Sequence, residues 1–215
     1  MARKLSIMDS GWLMMETRET PMHVGGLALF AVPEDAPSDY MESVYRYMVE
    51  VDGVCRPFSQ KIQSRLPGRL DAAWVDDKNF DIDYHVRHSA LPRPGRGREL
   101  LALVSRLHAQ RLDPSRPLWE SYLIEGLEGN RFALYTKLHH SMVDGMAGMH
   151  LMQSRMASSA DERLPAPWSG EWDNRKKPRK KNVAVAAKAG VIGHDHVVAD
   201  AAIVGHVGPH HDQAV

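Results

Sequence analysis

The residues best suited to chemistry lie together in Lys137-Leu138-His139-His140-Ser141-Met142-Val143-Asp144-Gly145. An imidazole, with an unperturbed pKa of ~6.5, can take a proton from an alcohol and hand it to a leaving group near neutral pH. Set against a thioester carbonyl, such a base needs no nucleophilic Ser or Cys and no covalent intermediate. The pair comes straight off an apolar run, Phe132-Ala133-Leu134-Tyr135-Thr136, that reads as a strand. Adjacent side chains on an extended chain point to opposite faces, so one histidine can face a cleft while the other packs or orients its neighbour. Asp144, at the start of a predicted helix, can cap backbone amides or pair with a cation. Gly145 permits close packing or unusual angles at the turn. Two plainer readings stand beside this one. The histidines could be an ordinary strand-end pair, or metal ligands. Zinc needs three or four converging ligands, and adjacent strand histidines diverge. No metal site is expected.

Several elements must position this turn. Gly25-Gly26-Leu27-Ala28-Leu29-Phe30-Ala31-Val32 reads as a buried strand ending before Pro33. A helix is predicted over 39–51, with Met41, Val44, Tyr45 and Met48 on one face and Asp52-Gly53 ending it. The alternation in Trp74-Val75 and in Phe80-Asp81-Ile82-Asp83-Tyr84-His85-Val86 predicts half-exposed strands. Pro92, Pro94, Gly95 and Gly97 mark a loop. An amphipathic helix follows over 99–112, with Leu100, Leu103, Val104 and Leu107 inward. Strands are predicted over 118–124 and 131–138, joined by a turn at 126–130, and a helix runs from Asp144 to about Met156.

Three regions differ in composition. Residues 1–156 carry all the periodic elements. Residues 157–182 hold Trp168, Trp172 and the run Arg175-Lys176-Lys177-Pro178-Arg179-Lys180-Lys181, in which six of seven residues are cationic. Such a run is a solvated linker or a contact for an anionic membrane surface. Residues 183–215 are rich in Ala, Val, Gly and His, lack a clear period, and are expected to be a disordered tail. Its histidines, 194, 196, 206, 210 and 211, could bind transition metals adventitiously or belong to that tail.

Bulk properties exclude some functions. Lys+Arg and Asp+Glu both total 27, which gives no general electrostatic reason to expect nucleic acid as a partner. The single cysteine, Cys55, cannot form an internal disulfide, has no activating environment, and is expected to be inert. No secretory h-region follows the amino terminus, so a reducing cytoplasmic setting is expected. No run approaches the ~20 apolar residues of a spanning helix, which leaves peripheral membrane contact. The 12 Met and five Trp suit either a core or an adaptable surface near a lipid. His23, in Met-His-Val-Gly, could line a substrate entrance or serve a structural role.

His139-His140-Ser141-Met142-Val143-Asp144-Gly145 resembles the HHxxxDG motif of the coenzyme A-dependent acyltransferase superfamily. Leu5-Ser6-Ile7-Met8-Asp9, followed by Pro21-Met22-His23-Val24-Gly25-Gly26-Leu27, looks like the amino terminus of the wax ester synthase/diacylglycerol acyltransferase family. Asp113-Pro114-Ser115-Arg116-Pro117-Leu118-Trp119-Glu120 is similar to that family's PLW segment. The similarity covers about residues 3–156. It implies an α/β fold: a chloramphenicol acetyltransferase-like half-domain with a mixed sheet flanked by helices. It implies that His140 is the general base, that His139 supports it, and that Asp144 and Gly145 are structural. Pro117, Leu118 and Trp119 would shape the substrate channel, with His23 at its entrance. The implied reaction moves a fatty acyl group from acyl-CoA, a co-substrate, to a long-chain alcohol or diacylglycerol, with no bound cofactor. The partners implied are these substrates, a membrane or lipid-inclusion surface, and a second half-domain that completes the site. Nothing in the chain resembles that second half, so it reads as an amino-terminal half, and its tail as a truncated or frame-shifted sequence. The alternatives are a condensation domain acting on carrier-bound substrates and an inactive lipid- or partner-binding fragment.

Overall fold

Period-two alternation in three long strands divides the interior into two faces, and the helices follow from that division. The computed structural model describes residues 3–64, 71–142, 151, 154–155 and 164–170, and the backbone of 200–204. In chain order the elements are β1 (Arg3–Lys4), α1 (Ile7–Met15), β2 (His23–Ala31), α2 (Tyr40–Val49), β3 (Gln60–Gln63) and β4 (Ala73–Asp76). They continue with α3 (Ile82–His85), β5 (Val86–Ala90), α4 (Gly97–Ala109), β6 (Trp119–Leu127), β7 (Arg131–His139) and β8 (Asp200–Val204). A five-stranded sheet has the order β5-β6-β7-β2-β8, and a three-stranded sheet the order β1-β4-β3. In the larger sheet only β5 and β6 are parallel, and their connection needs a crossover, which α4 supplies.

On one face Leu27, Tyr122, Ile124, Ala133 and Tyr135 cluster with Leu100 and Val104 of α4. On the other, Trp119, Leu123, Phe132 and Leu138 cluster with Met48 of α2 and with Phe58, Trp74 and Trp168. The central hairpin turns where the glycines lie. Gly126, Gly129 and Asn130 all have positive φ, at 82°, 74° and 51°.

The structure departs from the sequence expectations in three places. Residues 80–86 do not form one half-exposed strand. Ile82–His85 makes a helical turn, because the Asp81 carboxylate accepts from Asp83 N at 3.1 Å, and the strand begins only at Val86. Of the alternating aspartates that suggest a strand, Asp81 is the cap, and Asp83 sits in the first turn and accepts from Tyr45 OH. Helix α1 was not foreseen, since its apolar residues point outward: Ile7 is 94% and Met8 72% exposed. The signal for it was the capping box, in which Ser6 Oγ accepts from Asp9 N and Asp9 Oδ2 from Ser6 N. Within 183–215 only β8 is described, a strand hydrogen-bonded along the edge of β2. The predicted helix from Asp144 falls almost wholly outside the described residues, as do Asp144 and Gly145 themselves, the run 175–181 and the tail histidines. Among the described residues no helix is long and apolar enough to cross a membrane.

Candidate active site

The site is assembled under the carboxyl end of α4. Odd-numbered residues of β2 and β7 lie on the side of this helix, and His23, Tyr135 and Lys137 reach its last turn and C-cap. A helix ends with carbonyls that have no partner in the helix. Here strand side chains supply the partners: Lys137 Nζ donates to Leu107 O at 2.9 Å and Gln110 O at 2.8 Å. His23 Nε2 meets His108 O at 2.7 Å, and because a carbonyl only accepts, this nitrogen carries the proton. His108 Nδ1 in turn meets Tyr135 OH at 2.7 Å. A Cβ on Gly25 would lie 2.7 Å from that hydroxyl, so the strand must carry glycine where it passes the pair.

The histidine turn is fixed by its backbone to both upstream motifs. His139 N donates to Leu118 O at 3.0 Å, and His140 N donates to Met22 O at 2.9 Å. In β-register His139 sits opposite His23. The three motifs, distant in sequence, therefore meet at one corner of the sheet. His139 is fully buried. Ser141 N donates to its Nδ1 at 3.0 Å, with Ser141 Oγ 2.7 Å from the same nitrogen. Nδ1 is thus an acceptor, and the proton of the neutral ring sits on Nε2, which faces Glu16 Oε1 at 3.7 Å. The Glu16 carboxylate is shared: Arg111 donates to Oε2 at 2.8 Å and Met22 N to Oε1 at 3.4 Å. The Nδ1 lone pair of His139 is therefore taken by Ser141. His140 is only half-buried, and its ring stacks on the indole of Trp12, centroids 4.6 Å apart and planes at 19°.

Burial sets the electrostatics around this corner. Burial, aided by the Lys137 cation, pulls His23 down to about 3. Burial also lowers His85, whose Nδ1–H donates to Trp119 O at 2.7 Å. Burial pulls the Lys137 ammonium down, while Glu120 Oε2 at 3.4 Å opposes the shift. It pushes the Tyr135 phenol and the Cys55 thiol up, so neither is primed to ionise.

The depressed histidines predict acid sensitivity. An unfolded histidine protonates near ~6.5. The folded His23 resists protonation until about 3, so between these values the unfolded state binds more protons. Stability is full above the unfolded pKa and lost as pH falls through that window, at ~1.4 kcal/mol per pH unit for each such histidine. Urea midpoints at pH 7.5 and 5.5 should show this loss, and His23→Asn should flatten it. An unchanged wild-type midpoint would mean that the fold accepts a proton on these rings.

Of the residues singled out from sequence, the structure brings His139, His140, His23 and Leu118 together. Their contacts are these. His23 is 2% exposed and caps α4. Pro117, Leu118 and Trp119 are buried, and they act on the turn through the Leu118 carbonyl. The Trp119 ring is a core element, stacked on His85 and Trp168 with its Nε1 donating to Phe58 O at 2.8 Å. Asp144 and Gly145 lie outside the described residues. Sequence reasoning missed Trp12, Glu16, Arg111 and Ser141. Glu16 and Arg111 are 95 positions apart, and no local pattern pairs them. An apolar groove of about 300 Å³, lined by Phe30, Tyr40, Val44, Met48, Phe132 and Leu164 among others, includes neither histidine of the motif. No group of three or more His, Cys, Asp or Glu residues placed to hold a metal occurs among the described residues.

A mixed sheet flanked by helices, with a double-histidine turn at the far end of β7, defines a chloramphenicol acetyltransferase-like half-domain. The profile of the wax ester synthase/diacylglycerol acyltransferase catalytic domain matches residues 5–207, and the chain belongs to that family. The match runs well past residue 156, where the sequence motifs stop. The chain is 41% identical over 180 residues to O-acyltransferase WSD of Acinetobacter baylyi, covering 83% of this chain and 38% of that protein. It superposes on the wax ester synthase/diacylglycerol acyltransferase of Marinobacter aquaeolei VT8 with a TM-score of 0.73 at 43% identity, covering 78% of this chain and 42% of that one. The starter condensation domain of rhizomide synthetase shares the fold alone, at 15% identity and a TM-score of 0.52. The chain thus spans about two-fifths of the length of the relatives it matches.

Proposed function

We propose that this chain carries the base-bearing half of an O-acyltransferase that moves a fatty acyl group from acyl-CoA to a long-chain alcohol or diacylglycerol. The observation that carries the reading is the division of labour in the histidine pair. His139 is buried with its Nδ1 engaged by Ser141, and His140 is the ring that reaches solvent. His140 takes the proton of the acceptor hydroxyl as its oxygen bonds to the thioester carbonyl carbon. When the tetrahedral adduct collapses, the C–S bond breaks and the imidazolium returns the proton to the departing thiolate. Ester and free coenzyme A are the products. Acyl-CoA enters as co-substrate, and no bound cofactor has a part in the scheme.

The half-exposed His140 still meets water, so a site of this kind needs a cover that excludes it. In this reading a second half-domain of similar fold provides that cover and much of the acyl-CoA contact. The acceptors partition into lipid. The chain accordingly works on the cytoplasmic side, at a membrane face or a lipid inclusion. Support comes from α1, which presents Ile7, Met8, Met14 and Met15 to solvent on the helix that carries Trp12. The test is product analysis. The chain joined to such a covering half-domain, given palmitoyl-CoA and hexadecanol or diacylglycerol, should form wax ester or triacylglycerol on thin-layer plates. Turnover only with carrier-bound acyl donors would favour a condensation reaction, and no product from either donor would leave a non-catalytic fragment.

A further inference from the structure

We infer that Trp12 is a positioning residue for the proposed base, holding the His140 imidazole in its working orientation; the inference rests on the acyl-transfer reading above. Three observations carry it. The indole and imidazole stack with centroids 4.6 Å apart and planes at 19°. The two rings sit on elements locked to one another. Helix α1 is anchored by Leu13 in the core, and its entrance by Leu5 N donating to Ala72 O at 3.2 Å. Its exit is anchored by Glu16, which accepts from Arg111 and from Met22 N. Met22 O in turn accepts the His140 amide at 2.9 Å, so the backbone of the base and the helix bearing its stacking partner share one residue as their tie. Finally, Trp12 is half-buried on a helix whose apolar side chains Ile7, Met8, Met14 and Met15 are exposed, and the ring its indole stacks on is that of His140.

The physical consequence is twofold. A stacked indole removes the freedom of the imidazole to rotate about its outer torsion, so the basic nitrogen is held in one direction. The electron-rich indole face also attracts the imidazolium that exists only after the hydroxyl proton has been taken, and this favours the transition state over the ground state. Both effects belong to kcat. Neither asks the indole to touch substrate.

The experiment uses the full chain with Trp12→Leu and Trp12→Phe. Proton NMR of the histidine C–H resonances, with the His140 signal identified by its loss in His140→Gln, reads the stack directly. The His140 signal should lie upfield in the wild type, relax in Trp12→Leu and stay displaced in Trp12→Phe. Ester formation should follow it, with kcat about tenfold lower in Trp12→Leu at unchanged KM, and largely restored in Trp12→Phe. A His140 resonance indifferent to Trp12→Leu overturns the inference. A raised KM at constant kcat also overturns it, by making Trp12 a substrate contact. A wild-type chain that shows the upfield resonance yet forms no ester fails at the acyl-transfer reading instead, and Trp12 then has no reaction to serve.

Discussion

Replacing His140 with alanine should lower kcat for ester formation by ~10²–10⁴-fold while leaving the fold intact, the range expected when a positioned general base is lost. The imidazole is half-exposed, and the contact that fixes its backbone is its amide on Met22 O, which alanine retains. KM for acyl-CoA should change little, because the lost interaction forms only as the hydroxyl proton moves. His139→Ala gives the contrast that makes the result specific. That ring is fully buried, accepts from Ser141 N and faces the Glu16 carboxylate, so its loss should destabilise the protein by ~1–3 kcal/mol. A urea titration beside the rate assay separates the two variants. An H140A chain that still makes ester at the wild-type rate ends the case for this base.

The largest effect on stability is expected at Gly95, far from the histidines. Its φ is +71°, a region that costs an L-residue ~1–2 kcal/mol. A Cβ there would also lie 1.9 Å from Gly126 O and 3.0 Å from Gly126 C, and these are backbone atoms that cannot swing aside. Relief requires the 92–95 loop to part from the β6–β7 hairpin, which loses the bond from Glu128 N to Gly95 O at 2.8 Å. Gly95→Ala should therefore cost ~4 kcal/mol or more, a large share of the ~5–15 kcal/mol that holds a typical domain together. Gly97→Ala is the control. Nothing lies within 4 Å of its added Cβ, and it opens α4, where alanine suits the helix better. The urea midpoint should fall steeply in the first variant and hold or rise in the second. Equal midpoints would show that the loop yields at little cost.

Much of the scaffold around the site was legible because it is written in local patterns. The glycines of 126–130 mark a turn, and the structure puts left-handed residues there. The inward stripe Leu100, Val104 reads as a helix face, and α4 buries both. Residues 80–86 misled for an equally local reason. Aspartates at alternate positions mimic a half-exposed strand, while Asp81 in fact caps a helical turn. Helix α1 escaped because hydrophobic periodicity finds a helix by what it buries, and this one buries only Leu13.

The sequence by itself determined the identity and order of the chemical groups: a double histidine off a strand, a PLW stretch before it, and a Met-His-Val-Gly-Gly strand earlier still. What only the tertiary structure decided is how they divide the work. It made His23 a cap on α4, set Ser141 against His139, brought Glu16 and Arg111 together, and left His140 facing Trp12. The reason is range. Strand and turn formation depend on neighbours a few positions away. Which imidazole is sealed in and which is left half-exposed depends instead on donors and acceptors that only the folded sheet brings within hydrogen-bonding distance, such as His23 and the carbonyl of His108, 85 positions apart.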